Sequence, residues 1–233
     1  MMVSKIIDET NVQMPYDVYP QDKDQPTFKA YLTIIVRDEK GEIIKVHKQW
    51  SHSPTSNFIG ILLPTNWYSA TGSTWTITNT NGTGYIYNPG GGNKSNGLYY
   101  PATQNNYPTW LVMIQVGSGQ QPNPYNAYSL AAPIANGTRT GQLLYGQPSV
   151  SQIPIVSGSS IYFVISQAFI NKSGGGVTIT EVGIILDIYM YNLSTSNFQN
   201  FGYFLMWYDV LSSPISVPNG GSIVIYYTFM VNP

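Results

Sequence analysis

The sequence predicts an all-β protein: an antiparallel β-sandwich of jelly-roll type, with an extended N-terminal arm and long loops. Three observations support this. Runs of alternating apolar and polar residues recur with the two-residue period of a half-buried strand. Turn chemistry rich in Asn-Gly, Gly-Gly and Pro separates those runs. No segment sustains a helical period, although residues 49–63 are ambiguous and could hold one short helix. About eight to ten short strands with irregular loops suit a sandwich better than any helical layer.

The elements follow in chain order. Residues 1–26 contain Pro15, Pro20 and Pro26, mixed charge and no lasting period, and read as an extended arm of the kind that becomes ordered on a partner. From residue 27 to 233 the chain reads as the sandwich, divided into a charged hairpin (27–50), a loop-rich stretch (64–158) and a C-terminal sheet (159–233). In the hairpin, Phe28, Ala30, Leu32, Ile34 and Val36 alternate with Lys29, Tyr31, Thr33 and Arg37. Asp38-Glu39-Lys40-Gly41 makes the turn, with Gly41 in left-handed conformation, and Glu42 to Gln49 returns as the second strand.

The middle stretch has short β-prone runs at 74–78 and 85–87, a buried strand from Trp110 to Val116, and surface loops carried by the sheet. The last third is the clearest sheet. It has runs at 161–170, 177–191 (one long strand or a bent pair, with Gly183 as a possible bulge) and 201–210. The strand from Ile223 to Val231 closes it after the turn Asn219-Gly220-Gly221.

Charge is the unusual property. Only 9% of residues are charged, against roughly 25% in ordinary globular chains. Seven of the ten basic and eight of the eleven acidic residues lie within the first 48 positions. The other 185 residues hold only Lys94, Arg139, Lys172, Glu181, Asp187 and Asp209. The plain explanation is compositional drift towards Asn, Ser and Tyr. The functional one is two environments: a charged base that docks on other proteins, with Lys29, Arg37, Lys45 and Lys48 as candidate anchors, and an uncharged remainder facing harsh solvent. Free carboxylates titrate near pH 4, so a surface nearly lacking them hardly responds to acid. The net charge of −1 gives no basic field for nucleic acid, and none is expected as a partner.

Little chemistry is on offer. With no cysteine there is no disulfide framework, thiolate metal site or cysteine nucleophile. His47 and His52 are five apart, which on a strand sends them to opposite faces. A shared metal is not expected, and His47 reads as a solvated hairpin residue. A glycosidase pair needs carboxylates roughly 5–10 Å apart. Glu181 and Asp187 stand about 20 Å apart along an extended strand, and only Asp209 could approach from a neighbour. Glu181 and Asp209 read instead as structural carboxylates accepting hydrogen bonds from turn backbone.

The triple glycines at 90–92 and 174–176 lack the ending of a phosphate loop, and no nucleophile elbow is present. The loops lack the clustered acids that calcium needs. No enzyme and no cofactor are expected. Five Asn-x-Ser/Thr sequons (Asn81, Asn93, Asn136, Asn171, Asn192) are near the chance number for this composition, so glycosylation is open but not signalled. The 19 Tyr and 5 Trp suit a core or an interface, and secondarily a platform for sugars. The N-terminus lacks the apolar core of a signal peptide, and no apolar run is long enough to span a bilayer.

Two segments resemble known proteins. Arg37 to Phe58, a strand, an Asp-x-x-Gly turn, a basic strand and then Ser-His-Ser and Asn-Phe, is similar to virion proteins of hyperthermophilic archaeal viruses of the Sulfolobus type. The second starts at Thr178 and runs through Thr180-Glu181-Val182-Gly183, Trp207-Tyr208-Asp209, Pro214-Ile215-Ser216-Val217 and Gly220-Gly221 to the closing strand. It resembles a C-terminal module of phage and archaeal-virus structural proteins. Together the segments cover about a third of the chain.

The resemblance implies a virion structural protein, made in the host cytoplasm and placed on the particle's outer surface as a turret, spike or tail component. It would be anchored by residues 1–50 and self-assembled, with other virion proteins and a host surface glycan or receptor as partners. A shell-forming capsid protein and a carbohydrate-binding adhesin are the alternatives. One feature pulls the other way. Heat-adapted chains tend to avoid Asn and Gln, whereas this one is Asn-rich and has four Asn-Gly steps.

Overall fold

The structure is a computed structural model describing residues 27–51, 54–62, 75–87, 112–151, 155–158, 160–192 and 197–232. The expected N-terminal arm, His52, Asn93 and much of the loop-rich stretch lie outside the described residues. In chain order the strands are β1 (Thr27–Arg37), β2 (Ile43–Ser51), β3 (Trp75–Thr78), β4 (Gly84–Tyr87), β5 (Val112–Gly117), β6 (Leu144–Tyr145), β7 (Ser149–Val150), β8 (Ile155–Ser157), β9 (Ser160–Ile170), β10 (Val177–Asn192), β11 (Asn197–Val217) and β12 (Ser222–Asn232). An α-helix, α1 (Ser56–Leu62), occupies the stretch whose period is ambiguous in the sequence.

The protein is all-β, and among the described residues every strand pairing is antiparallel. One sheet has the order β2-β1-β12-β9-β6, with β7 and β8 also pairing β9; a second has the order β11-β10-β5; β3 and β4 form a separate hairpin. The two larger sheets face each other across one core. The first contributes Leu32, Ile34, Phe169, Ile225 and Tyr227, and the second Ile114, Val116, Ile179, Val182 and Ile215. Burial of each such side chain stabilises by roughly 1.5–3 kcal/mol, which is why strict period-2 patterning decides the fold. The pairing establishes the sandwich and leaves the finer jelly-roll order unestablished, because β1–β2 and β10–β11 are each hairpins within a single sheet.

The hairpin forms as its sequence dictates. Asp38 accepts the backbone N–H groups of Lys40 and Glu42 on Oδ1, both at 2.9 Å, and Gly41 takes φ 82°. The run from 177 is one long strand, with register irregularities after Ile179, Ile184 and Asp187. Gly183 is not the bulge: it pairs regularly with Tyr208 on one side and Gln115 on the other. It is glycine because a Cβ there would lie 2.5 Å from Leu205 Cδ1 and 3.1 Å from Leu130 Cδ2. The extra residue is Met206 on β11. Thr55 binds the freed backbone there, its Oγ1 donating to Leu205 O at 2.7 Å and its N–H to Met206 O at 3.0 Å.

Candidate functional site

Only three acidic residues follow position 48 in the sequence, and all three are buried: Glu181 at 0%, Asp209 at 2% and Asp187 at 6% exposure. A buried carboxylate is costly unless hydrogen bonds replace its water. Donors gather around both Glu181 and Asp209 and make each a polar centre.

Glu181 lies on the face of β10 that looks away from the sandwich core. Its partner position across the sheet is Gly117, where a Cβ would come within 2.4 Å of Oε1. That missing side chain opens the space into which residues 118–132 fold back. Oε1 accepts the N–H groups of Gly119 (3.1 Å) and Ala132 (2.8 Å), and Oε2 accepts Ala131 N–H (2.9 Å) and the Tyr208 hydroxyl (2.8 Å). The Tyr208 oxygen in turn accepts Gln121 N–H at 2.7 Å, and Thr180 Oγ1 donates to Gly119 O at 2.7 Å. One carboxylate thus clamps a loop that has no secondary-structure ladder of its own. Leu130 and Ala127 are pressed onto Ile185, Leu205 and Tyr208 beneath it.

Asp209 is one register step away but points the other way. It pairs with Val182, whose side chain is in the inter-sheet core, so Glu181 and Asp209 occupy opposite faces of one sheet. Its Oδ2 accepts the hydroxyls of Ser51 and of Tyr227, the latter at 2.9 Å. Ser51 Oγ also accepts the Trp207 indole N–H. Glu181 meets the expected backbone donors. The donors to Asp209 include two hydroxyls, from β2 and β12.

The same edge explains β2. Lys45, His47, Gln49 and Ser51 share one face, and that face turns towards β11. Gln49 Nε2 donates to Val210 O (3.0 Å) and its Oε1 accepts Ser212 N–H (2.9 Å). His47 Nε2 lies 2.8 Å from the same Oε1, so this nitrogen carries the proton. His47 is 8% exposed, which corrects its expected role as a solvated hairpin residue. The physical reason is that the polar face of β2 is the one turned inward, towards β11. Across the sandwich, Gln167 does the same: its Oε1 accepts Ile114 N–H on β5 (2.6 Å) and its Nε2 donates to Gly146 O (2.9 Å). No sequence signal marked either glutamine.

The candidate anchors are distributed unevenly. Lys29 sits 5.8 Å over the Trp50 ring, Arg37 Nη1 donates to Gly41 O (3.0 Å), and Lys45 Nζ donates to Pro214 O (3.0 Å). Of the four, Lys48 alone is exposed rather than half-buried. Among the described residues no three His, Asp or Glu side chains gather as they would around a metal ion, and no helix is long and apolar enough to cross a membrane. Two described sequons are exposed at turns, Asn81 and Asn136. Asn171 is fully buried, its Nδ2 donating to Gly175 O and Val217 O at 2.8 Å each, so the folded chain offers no acceptor there. Compared with family models, curated proteins and solved structures, the chain matches none.

Two outcomes follow from this geometry. Glu181→Gln replaces an acceptor oxygen with an amide that faces N–H and O–H donors. It should cost about 2–4 kcal/mol in urea unfolding and open residues 118–132 to protease, whereas an uncut loop and an unshifted midpoint would refute the clamp.

The second concerns alkaline pH. Burial raises the Tyr145 hydroxyl from 10.0 to about 12, against a smaller opposing effect of the Val116 N–H; burial also raises Tyr208 and Tyr227 well above 10.0, reinforced by the nearby carboxylates. Between 10 and 12 the unfolded chain has lost protons that the folded chain keeps. This contribution is therefore complete below pH 10 and disappears as pH rises towards the folded values. Stability measured by urea should be flat up to pH 10 and fall beyond it, with phenolate absorbance of these tyrosines appearing only as the chain unfolds. Full phenolate absorbance at pH 10 to 11 with the fold intact would contradict their burial.

Proposed function

We propose that this chain is a structural protein of a virion, an externally exposed turret, spike or tail component that self-assembles and is anchored by residues 1–50. One observation carries the proposal. Past Ser51 the described surface displays no carboxylate, since Glu181, Asp187 and Asp209 are all inside, and its only exposed ionic side chains are Arg139 and Lys172. Acid near pH 4 therefore finds no exposed carboxylate to neutralise on that surface. A catalytic role would call for carboxylates converging in an accessible cleft. Here Glu181 and Asp209 face opposite sides of a sheet, with both oxygens of Glu181 and Oδ2 of Asp209 already accepting hydrogen bonds.

Durability also bears on the Asn-Gly steps. Deamidation begins when the glycine nitrogen loses its proton and attacks the asparagine amide carbon, expelling ammonia. In all three described steps that N–H is already donated to a backbone carbonyl: Gly82 to Asn79 (2.9 Å), Gly137 to Leu143 (3.0 Å) and Gly220 to Asn171 (2.8 Å). Each bond adds to the cost of the attack, which reconciles an Asn-rich chain with a demanding solvent.

A second reading, a carbohydrate-binding adhesin, has its own observation. Tyr125, Tyr128 and Tyr203 are exposed; the Tyr128 ring lies 3.6 Å from where a Cβ on Gly82 would stand, and Tyr203 O accepts Thr80 N–H, so two of them border the β3–β4 turn. It requires binding of a neutral glycan by the monomer. The test of the main proposal is mass spectrometry of purified particles with protease trimming of intact ones. The chain should be present and be cut within residues 64–158 while 1–50 stay protected. Its absence from particles, or first cleavage in the arm, would overturn the proposal.

A further inference from the structure

The outer face of the first sheet, turned away from the sandwich core, is buried where a sheet open to water would not be. Tyr31, Thr33 and Ile35 of β1 point to that face, since Leu32, Ile34 and Val36 fill the core. Pairing sets Trp50 of β2 beside Tyr31, Met230 of β12 beside Lys29, and Tyr162 of β9 beside Met230. An antiparallel sheet with one face on the core ordinarily leaves the other wet. Here Met230 is 3% exposed, Ile35 5%, Tyr162 6% and Thr33 9%, whereas Val46 on the margin is 50% exposed. The described elements outside this sheet pack elsewhere: α1 on β3 and β11, the β3–β4 hairpin on β11, and residues 118–132 on the second sheet.

The chemistry of this face is specific. Its ionic side chains are Lys29, Arg37 and Lys48, and β1, β2, β9 and β12 contain no acid. Its middle is aromatic. Tyr31 meets Trp50 edge-on (centroids 5.1 Å, 79°), Lys29 Nζ lies 5.8 Å over the Trp50 ring, and Tyr162 and Met230 pack against the pair. Aromatic ridges flanked by cations suit an extended stretch of chain that carries both proline and carboxylate. Proline docks on aromatic rings with little conformational freedom left to lose, and carboxylates pair with the cations.

We infer that this face is the docking surface of the chain's own N-terminal arm, residues 1–26. Charge singles the arm out: it carries Asp8, Glu9, Asp17, Asp22 and Asp24 against Lys5 and Lys23, whereas the other stretches outside the described residues carry Lys94 and no acid. Composition agrees, with Pro15, Pro20 and Pro26 in the arm and Tyr16 and Tyr19 between the first two. So does connectivity. The arm enters the fold at Thr27, the end of β1 next to Lys29, Met230 and Tyr162, whereas residues 63–74 join α1 to β3 and residues 88–111 join β4 to β5 of the second sheet. At roughly 3.3 Å per extended residue, the stretch from Asp17 to Pro26 spans about 30 Å. The row of Thr33 and Lys48 lies only about 20 Å along β1 from Thr27. The face is already buried within one copy, which assigns the arm of the same chain rather than that of a second. The inference does not depend on the virion reading.

Carbodiimide coupling of the full-length chain tests this directly, because it joins a carboxylate to an ammonium as an amide only where the two are in contact. Peptide mapping should find Lys48 joined to Asp17 or Asp22. In a mixture of isotope-labelled and unlabelled chains, each link should stay within one isotope. Trypsin supplies a second readout. Lys48→Glu, a change at an exposed position, should speed the cut after Lys23 about three- to tenfold while the thermal midpoint stays near the wild-type value. Asp17→Asn with Asp22→Asn should do the same from the arm's side, without altering either sheet.

The inference is overturned if Lys48 couples to no carboxylate of the arm, if the links join two isotopes, or if the wild-type chain is cut after Lys23 as fast as the variants. The two readings fail separately. A chain found in particles whose arm never couples to Lys48 loses the docked arm and keeps the virion role. A chain with the coupling intact but missing from particles loses the virion role and keeps the docked arm.

Discussion

The two main sheets share no strand, so something other than backbone ladders must hold their edges in register. The core supplies attraction without direction. Direction comes from two uncharged seams. On one side Gln49 of β2 binds the backbone of β11 through both ends of its amide, and on the other Gln167 of β9 binds β5 and the segment before β7 in the same way. An amide supplies one acceptor and a donor group, and here each seam uses both. Edge strands that would otherwise present open backbone are thereby tied to the facing sheet.

Closing the seams with amides and hydroxyls allows the acids to be drawn inside. Asp209 completes the Gln49 seam through Ser51 and Tyr227, and Glu181 organises the outer layer of the second sheet by collecting the amides of residues 119, 131 and 132. A buried charge held this way is better evidence for a single specified arrangement than for a large net gain in stability. The consequence for the exterior is the reverse of the usual arrangement, in which acids face water. The lack of exposed carboxylate on the described surface past Ser51 is a result of where three side chains point as much as of composition.

Sequence periodicity was sufficient wherever one face of a strand is wholly apolar. The Phe28–Val36 run, the Asp38–Gly41 turn and the closing strand all follow their patterns, because burial of each inward residue outweighs local preference. On β2 it marks the strand but not which face turns inward, because Val46, Lys48 and Trp50 alternate with Lys45, His47, Gln49 and Ser51. The polar set faces β11, and nothing within nine residues announces a partner 161 positions away. Residues 118–132 were featureless for a related reason: their order is imposed by Glu181 and Gly117 from other strands. Glu181 could be recognised as a structural acceptor because Asp187, six residues on along an extended strand, stands too far away to pair with it. The hydroxyl partners of Asp209 could not, since Ser51 is 158 residues distant.

The account stands on the two seams acting as separate, direction-giving contacts. Urea unfolding of Gln49→Ala, Gln167→Ala and the double variant tests that most directly. Each single change should cost about 1–3 kcal/mol by removing the partners of backbone groups on β11 and β5, and the two costs should add to within about 0.5 kcal/mol because the sites share no partner. Singles that unfold at the wild-type midpoint would contradict it.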